Sequence, residues 1–206
     1  MTEKLPKNVA VALDDDMCIE VQAQHIHAAG VFASKDDTRS TLEAVCIRRE
    51  GDAIKIQATD RFRLISIESR AEEDGPDETI LIPYKAAKSA IPKKGPVTLC
   101  LNHQTMMLSI TSCDGSSTTI KAIEGRYPDV EQLFKLQGKG TIDGTAEFGI
   151  NAKLVADAGK ACALALGSKD QDLRFTCTGE LEPILFTNLR SDDTARVRGL
   201  IMPVHI

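Results

Sequence analysis

Lysines concentrate in two stretches of the sequence whose spacing could place them together on helix surfaces. Lys85 and Lys88 are three positions apart, so a helix would carry both on one face, and Lys93 and Lys94 follow closely. No acidic residue lies within residues 81–96. Such clusters can hold phosphate groups without reading base sequence. Taken alone, they are more typical of solvated helix surfaces.

A second basic pair repeats this pattern further along the chain. Lys153 and Lys160 are seven positions apart and would again share one helix face. Six acids and one arginine instead crowd residues 68–78. The net charge of −5 therefore hides a segregated distribution, and a ligand responds to the local field rather than to the sum. A polyanionic partner stays compatible with this composition.

A search for catalytic or metal-binding constellations finds none. His25 and His27 are two positions apart, so on a helix they point to different faces and cannot jointly hold a metal. The aspartate runs at residues 14–16, 36–37 and 192–193 are typical of turns. No phosphate-binding loop and no nucleophile signature occurs. We expect no enzymatic activity, no metal and no cofactor.

The six cysteines are scattered, without a pair at metal-ligand spacing. A disulfide framework is not expected in a chain without an export signal. Most of them lie in apolar stretches and are predicted to pack as small core residues. They are Cys18, Cys46, Cys100, Cys113, Cys162 and Cys177.

Length and composition indicate an ordinary globular protein. The 206 residues can bury a hydrophobic core, and the hydrophobic fraction is 42%. No apolar run approaches the roughly 20 residues that a membrane-spanning helix needs. The N-terminal residues lack the apolar stretch of a signal peptide. We therefore expect a cytoplasmic protein without a membrane partner.

Hydrophobic periodicity predicts one order of elements three times: a strand, a short helix and then three strands. The first unit has a strand at 17–22, a helix at 25–33 and strands at 41–48, 53–59 and 63–68, with a tight turn at 50–52. The second has a strand at 79–82, a helix from Pro83 through Ala90, and strands at 97–101, 106–111 and 117–123. The third has a strand at 145–150, a helix capped by Asn151 that runs to about Leu166, and strands at 173–178, 184–189 and 194–202.

Four segments make a family recognisable. Residues 58–64, Ala-Thr-Asp-Arg-Phe-Arg-Leu, resemble the Ala-Thr-Asp-x-x-Arg-Leu segment of the bacterial DNA polymerase III beta subunit, the sliding clamp. Residues 37–42, Asp-Thr-Arg-Ser-Thr-Leu, precede it at the family's spacing. Residues 124–129, Glu-Gly-Arg-Tyr-Pro-Asp, are similar to the family's joint between its middle and last domains, and the Met-Pro at 202–203 is similar to its terminal segment.

The resemblance implies an α+β DNA-clamp fold, with antiparallel sheets outside and helices on the inner face. The family has three domains of two units each, whereas this sequence matches the middle domain and the second half of the last. The implied organisation is an N-terminal arm at 1–16, a complete clamp domain at 17–125, a linker at 126–144 and a half domain at 145–206.

The resemblance also implies a pocket that receives short apolar peptides from polymerases and repair proteins. Arg63 would offer a fixed donor fork to such a peptide. The alternative for the three leucines is burial in the core. Arg61 and Phe62 differ from the family's usual pair, so peptide preference could differ. The implied pocket residues are Leu42, Thr59, Phe62, Arg63, Leu64, Pro128, Leu200, Met202, Pro203 and Val204.

In the clamp fold the helices line a central hole, so lysines on helices would meet DNA phosphates. The acids at 72–78 would lie outside. The implied DNA-binding residues are Lys85, Lys88, Lys93, Lys94, Lys153 and Lys160.

The function implied is that of a DNA polymerase processivity factor. It would hold duplex DNA without sequence preference, dock polymerase and repair proteins, and need a separate clamp loader. Three units per chain would fit four copies in a ring, or two copies that join their unpaired halves, so a homo-oligomer is expected and a dimer is the first expectation. An adaptor or decoy that binds peptides without encircling DNA is the second reading. A nucleic-acid enzyme that reuses the fold ranks far below both.

Overall fold

The computed structural model describes residues 16–36, 38, 40–136, 148–168, 172–179, 182–189 and 195–204. Within these ranges the chain forms nine strands, four α-helices and one 3-10 turn at Ser40–Leu42. The strands are β1 Asp16–Gln22, β2 Ala44–Thr59, β3 Arg63–Pro83, β4 Pro96–Asn102, β5 Met107–Ser112, β6 Ser117–Lys121, β7 Leu173–Thr176, β8 Ile184–Asn188 and β9 Arg196–Ile201. The helices are α1 Ala23–Gly30, α2 Tyr84–Ala87, α3 Glu131–Leu136 and α4 Ala152–Leu166.

These strands form two antiparallel sheets. One has the order β1-β4-β5-β6, and the other has the order β2-β3-β9-β8-β7. In the larger sheet β3 pairs with β9, so that Leu64 lies opposite Leu200. This pairing joins the last part of the chain to the first. The predicted α+β class with antiparallel sheets is confirmed.

The β2–β3 ribbon differs from the sequence prediction. The tight turn expected at residues 50–52 is wrong, because β2 continues through these residues opposite β3. Gly51 instead lies at register shifts on both sides, with a φ of 61°, which a β-bulge tolerates readily in glycine. The bulge lets two predicted strands run on as one. The strands predicted at 63–68 and 79–82 likewise merge into β3.

One acid of the stretch expected to lie outside is buried. Glu78 is only 9% exposed, and its Oε2 atom lies 2.8 Å from the Nε2 atom of His103. Its Oε1 atom accepts a hydrogen bond from the backbone N–H of Thr79. A buried carboxylate needs such partners. The prediction of an outward, solvated acid is wrong for Glu78, whereas Asp77 is exposed.

The helices agree better with prediction. Asn151 caps α4 as expected, since its Oδ1 atom accepts from the backbone N–H of Lys153 at 3.0 Å. Gly167 ends this helix in the left-handed conformation, with a φ of 66°. The first predicted helix forms as α1, slightly earlier in the chain. The second is shorter than expected, because α2 ends at Ala87.

Side-chain alternation gives the larger sheet two apolar faces. Its inner face packs with α1 and α4 into the main core, to which the smaller sheet also contributes Ile19 and Leu99. Its outer face forms a second cluster that is covered by residues 123–136, here called the joint segment. The cluster consists of Ala44, Cys46, Leu64, Leu81, Tyr127, Val130, Phe134 and Leu200. Helix α3 lies in this segment, which the sequence predicted as a linker.

Cysteine usage differs from expectation. Cys18 and Cys100 lie opposite each other on β1 and β4 and form a disulfide. The expectation of no disulfide is therefore wrong, because strand pairing brings together two residues that are 82 positions apart. Only Cys46 and Cys162 are buried, while Cys113 is exposed and Cys177 is half-buried.

The described residues contain neither a membrane-spanning helix nor a metal-binding group of side chains. No helix among them is long and apolar enough to cross a membrane. Nor do these residues bring three or more His, Cys, Asp or Glu side chains together in a group that could hold a metal ion.

Candidate functional site

A rigid turn joins β2 to β3 at residues 60–62. The Oδ1 atom of Asp60 accepts from the backbone N–H groups of Phe62 and Arg63, each at 3.1 Å. The Oγ1 atom of Thr59 donates to the carbonyl of Arg63 at 2.7 Å and accepts from the N–H of Arg61. Arg61 takes a positive φ of 81°, which is uncommon outside glycine. The turn holds the Phe62 side chain outward, with 60% of it exposed.

The chain after β9 continues this apolar surface. The backbone N–H of Met202 donates to the carbonyl of Phe62 at 2.8 Å, and the N–H of Val204 donates to the carbonyl of Gly149 at 2.9 Å. Met202 and Val204 are 39% and 46% exposed, and Pro203 is half-buried. We call Phe62, Met202, Pro203 and Val204 the apolar strip. Four of the predicted pocket residues thus lie together at one end of the larger sheet.

The three predicted leucines lie below the surface. Leu42, Leu64 and Leu200 are 7%, 2% and 4% exposed. Leu64 and Leu200 belong to the second cluster, under the joint segment. Pro128 of that segment is exposed. Burial in the core, the alternative left open by the sequence, describes the leucines in this structure.

Arg63 points away from the apolar strip. Adjacent strand residues face opposite sides of a sheet, so Arg63 faces the helices while Leu64 faces the second cluster. Its Nε atom donates to Asp60, one terminal nitrogen donates to Asp157 of α4 at 2.6 Å, and the other donates to the carbonyl of Val31 at 2.9 Å. The side chain is 8% exposed. A role as a donor fork for a peptide is not compatible with this placement.

Sequence reasoning missed Glu131, the residue that anchors the joint segment. Its two carboxylate oxygens accept from the Nε2 atom of Gln57 at 2.8 Å and from a terminal nitrogen of Arg198 at 2.7 Å. The Arg198 guanidinium also stacks 4.2 Å from the centre of the Phe134 ring. These contacts tie α3 to β2 and β9. No sequence signal distinguishes Glu131 from a solvated linker acid, because its partners are far away in the chain.

A second missed residue is Leu133 of α3. It is 45% exposed, although its neighbours Val130 and Phe134 are buried in the second cluster. A large apolar side chain on the surface of a short helix adds contact area for a ligand.

All six predicted DNA-binding lysines are exposed. Among the residues that the structure describes, none of the six forms an ion pair. One group lies on α2 and residues 88–95 and the other lies on α4, on two sides of α1. We call α1, α2, residues 88–95 and α4 the helix layer. The lysines are Lys85, Lys88, Lys93, Lys94, Lys153 and Lys160.

Acids are scarce in this layer. Its one acidic residue, Asp157, is engaged by the guanidinium of Arg63. The unpaired charge on the layer is therefore positive, while the chain as a whole carries −5. The sequence predicted this segregation for residues 81–96, and the structure adds α4 to it.

Burial changes the pKa of two cysteine thiols, one on each face of the larger sheet. Burial raises the pKa of the Cys46 thiol, in the second cluster, to about 12. Burial likewise raises the pKa of Cys162, on α4, to about 12. Both stay as unreactive thiols near neutral pH.

A concavity lies away from both groups of residues. A cavity of about 850 Å³ opens between β1, the bulged part of the β2–β3 ribbon and the end of α4, with Glu20, Arg70 and Gly167 among its lining residues. It contains neither the apolar strip nor the six lysines.

Comparison with known proteins decides the family. A profile of the DNA polymerase III beta subunit, central domain, matches residues 18–129, which is more than half of the chain. This chain belongs to the sliding-clamp family of DNA polymerase III beta subunits. The sequence resemblance is thereby confirmed.

Individual relatives agree. The beta sliding clamp of Micrococcus luteus is 36% identical over 110 residues, which are 50% of this chain and 35% of that protein. The DNA polymerase III beta chain of Streptococcus pneumoniae shares the fold, with a TM-score of 0.71 at 17% identity, over 99% of this chain and 68% of that one. The sliding clamp of Bacillus subtilis has a TM-score of 0.70 at 15% identity, over 99% of this chain and 67% of that one.

The match has a limited span. The chain covers about a third of the length of the curated relatives and about two thirds of the solved clamp chains.

Proposed function

We propose that this chain is a processivity factor of the sliding-clamp type, with two separate surfaces. The helix layer holds duplex DNA through its phosphates, and the apolar strip docks short apolar peptides of polymerases and repair proteins. The observation that carries the proposal is the helix layer itself, with six exposed lysines and one acid that is already paired. The family membership gives this layer its context.

The charge distribution supports non-specific DNA binding. Lysine is a flexible point charge, which suits contact with phosphates at varying positions better than recognition of one base pattern. Binding without base recognition also favours sliding, because non-specific phosphate contacts exchange easily along the duplex.

The apolar strip supports peptide docking. Phe62, Met202 and Val204 offer exposed apolar surface on a backbone fixed by hydrogen bonds, so little order has to be gained on binding. Methionine adapts its shape to different partners. Leu133 of α3 offers further exposed apolar surface on the joint segment, and Leu64 and Leu200 beneath that segment become accessible only if it moves. Polymerase, repair proteins and a clamp loader are the partners that we propose.

The edge strands of the two sheets support self-association. One chain contributes four edge strands, β1, β2, β6 and β7, each with one side that has no neighbouring strand among the described residues. We propose a homo-oligomer, with a dimer as the first expectation. Light scattering at micromolar protein should give a discrete mass above that of the monomer, and a monomer would remove this part of the proposal.

DNA affinity measured against salt concentration tests the function. Replacement of Lys85, Lys88, Lys153 and Lys160 by alanine should weaken binding to a short duplex and flatten the salt dependence by about 0.9 per lost phosphate contact. Lys121 on β6 and Lys135 on α3 are exposed and lie outside the helix layer, so their double alanine variant is the matched control. Equal losses in both variants would refute a DNA-binding helix layer. Peptide binding without any DNA binding would favour the adaptor reading, which the limited span of the match keeps open.

A further inference from the structure

The basic segment, residues 84–95, carries four of the six lysines but little structure of its own. Only Tyr84–Ala87 are helical, and a helix of one turn is not stable by itself. The positions of Lys85, Lys88, Lys93 and Lys94 must therefore be set by contacts with other elements. Ala87 and Ile91 pack into the main core, and the polar contacts described next lead to α1.

His27 in the middle of α1 reaches both ends of the basic segment. Its Nε2 atom lies 3.0 Å from the carbonyl oxygen of Pro92, and its Nδ1 atom lies 3.1 Å from the hydroxyl of Tyr84. A carbonyl only accepts, so Nε2 carries the hydrogen and donates it. The imidazole and phenol rings also meet edge to face, with their centroids 6.0 Å apart. One side chain thus spans the start and the end of a lysine-bearing loop.

Two more contacts fix the same segment along α1. At the beginning of the helix, the N–H of Ala23 donates to the carbonyl of Gly95 at 2.9 Å, and the N–H of Gly95 donates to Gln24 at 3.1 Å. At its end, Gly30 lies against the Tyr84 ring, so closely that a Cβ atom there would overlap the ring. The absence of a side chain at Gly30 makes room for Tyr84.

The same helix also sets the position of α4. Helices α1 and α4 pack in one core, and the Arg63 guanidinium bonds both the carbonyl of Val31, just after α1, and Asp157 of α4. The positions of both lysine groups, those of the basic segment and those of α4, are therefore set relative to α1. Helix α1 itself carries no lysine or arginine.

We propose that His27 is a positioning residue for DNA binding, which holds the four lysines of the basic segment in register with those of α4. The proposal rests on the DNA-binding function proposed above. His27 itself touches no phosphate. Its removal costs affinity because the lysines then sample many positions and lose simultaneous contact with the duplex.

The test compares His27→Ala with wild type and with Lys93→Ala/Lys94→Ala in the full chain. Affinity for a short duplex is measured at several salt concentrations, together with the melting curve of each protein. His27→Ala should bind several-fold more weakly, with a salt slope that is shallower by about 1 to 2, as if phosphate contacts had been lost. His27→Gln, which keeps a donor near Pro92, should recover part of the loss. A purely structural role would lower the melting temperature without changing the salt slope.

Each outcome decides something. A folded His27→Ala protein with the affinity and slope of wild type overturns the positioning role, provided that the double lysine variant is weakened. If the double lysine variant also binds like wild type, the DNA-binding function of the segment fails as well. Should His27→Ala not fold, Tyr84→Phe replaces it, since it removes only the hydroxyl bond and keeps the ring against Gly30. A wild-type slope in Tyr84→Phe, with no loss of affinity, would equally overturn the proposal.

Discussion

The two faces of the larger sheet are covered in different ways. On the inner face, α1 and α4 lie over the sheet, and the buried guanidinium of Arg63 has a partner for each of its three nitrogens. On the outer face, the short joint segment is held by Glu131 and by apolar packing. Two polar atoms under it, Oε1 of Gln57 and Nε of Arg198, are buried without a hydrogen-bond partner.

This difference has an energetic meaning. A buried polar atom without a partner costs free energy, whereas a fully bonded guanidinium rigidifies its surroundings. The inner cover should therefore be the more rigid of the two and suits a fixed array of lysines. The outer cover should open more easily, which suits a surface that adapts to different peptides.

Arg63→Ala should have the largest effect on stability, and it should act on the inner face of the larger sheet. It leaves the carboxylates of Asp60 and Asp157 without their buried partner, so we expect the free energy of unfolding in urea to fall by about 3 kcal/mol or more. Cys162 of α4 should then react faster with a thiol reagent, and Cys46 should change less. Arg61→Ala is the matched control, because Arg61 is 48% exposed and its pair with Asp36 should contribute under about 1 kcal/mol. Equal acceleration of both thiols would erase the distinction between the faces.

Glu131→Ala should loosen the outer face alone. The loss of its bonds to Gln57 and Arg198 should lower the free energy of unfolding by about 1–3 kcal/mol. Cys46 beneath the joint segment should become more reactive, while Cys162 stays protected. Glu124→Ala, at an exposed position near the start of the same segment, serves as the control. Unchanged Cys46 reactivity in Glu131→Ala would show that Glu131 does not hold the cover.

Alkaline pH should weaken both faces through their thiols. In the folded protein the pKa values of Cys46 and Cys162 are about 12, above those of the unfolded chain, so the folded state retains protons that the unfolded state loses. The stabilising contribution of each thiol is fully present below the pKa that the thiol has in the unfolded chain. It is lost as the pH rises towards 12, by at most about 1.4 kcal/mol per pH unit for each thiol. Urea unfolding between pH 8 and 11, at about one-unit steps, measures the slope. A Cys46→Ala/Cys162→Ala variant should show a shallower slope, and an identical slope would contradict the assignment.

Met202→Ser should have the smallest effect on stability, within about 0.5 kcal/mol, because Met202 is 39% exposed. It should weaken binding of an apolar clamp-binding peptide by about tenfold, as loss of a central apolar contact does. Met107→Ser on β5 is a matched control at 40% exposure. If both substitutions weaken the peptide equally, the apolar strip is not its docking surface.

Local signals in the sequence predicted much of the fold. The Asn151 cap and the alternating strands β4 and β5 are encoded within a few residues, and they appear where expected. The Glu50-Gly51-Asp52 triplet is a turn in most contexts, but here β3 supplies a partner strand and turns it into a bulge. Only the three-dimensional pairing decides between the two.

The candidate site was predictable in part. Exposure at a turn or on a helix face is a local property, so it could be expected for the lysines of the helix layer and for Phe62 and Met202. The family resemblance then implied their roles. Arg63 was assigned to the peptide from the family resemblance, and its partner Asp157, 94 residues away, was not foreseen. Glu131 and the Cys18–Cys100 pair were missed for the same reason. Their partners are brought close by the fold alone.

The most direct test of two independent surfaces is the DNA affinity of the wild-type chain with and without a saturating clamp-binding peptide. The helix layer covers the inner face of the larger sheet, whereas the apolar strip lies at one end of it, so we expect dissociation constants that agree within about twofold, as for uncoupled sites. A DNA affinity that falls steadily as peptide is added would show that the two ligands compete. That result would contradict the assignment of DNA and peptide to different surfaces.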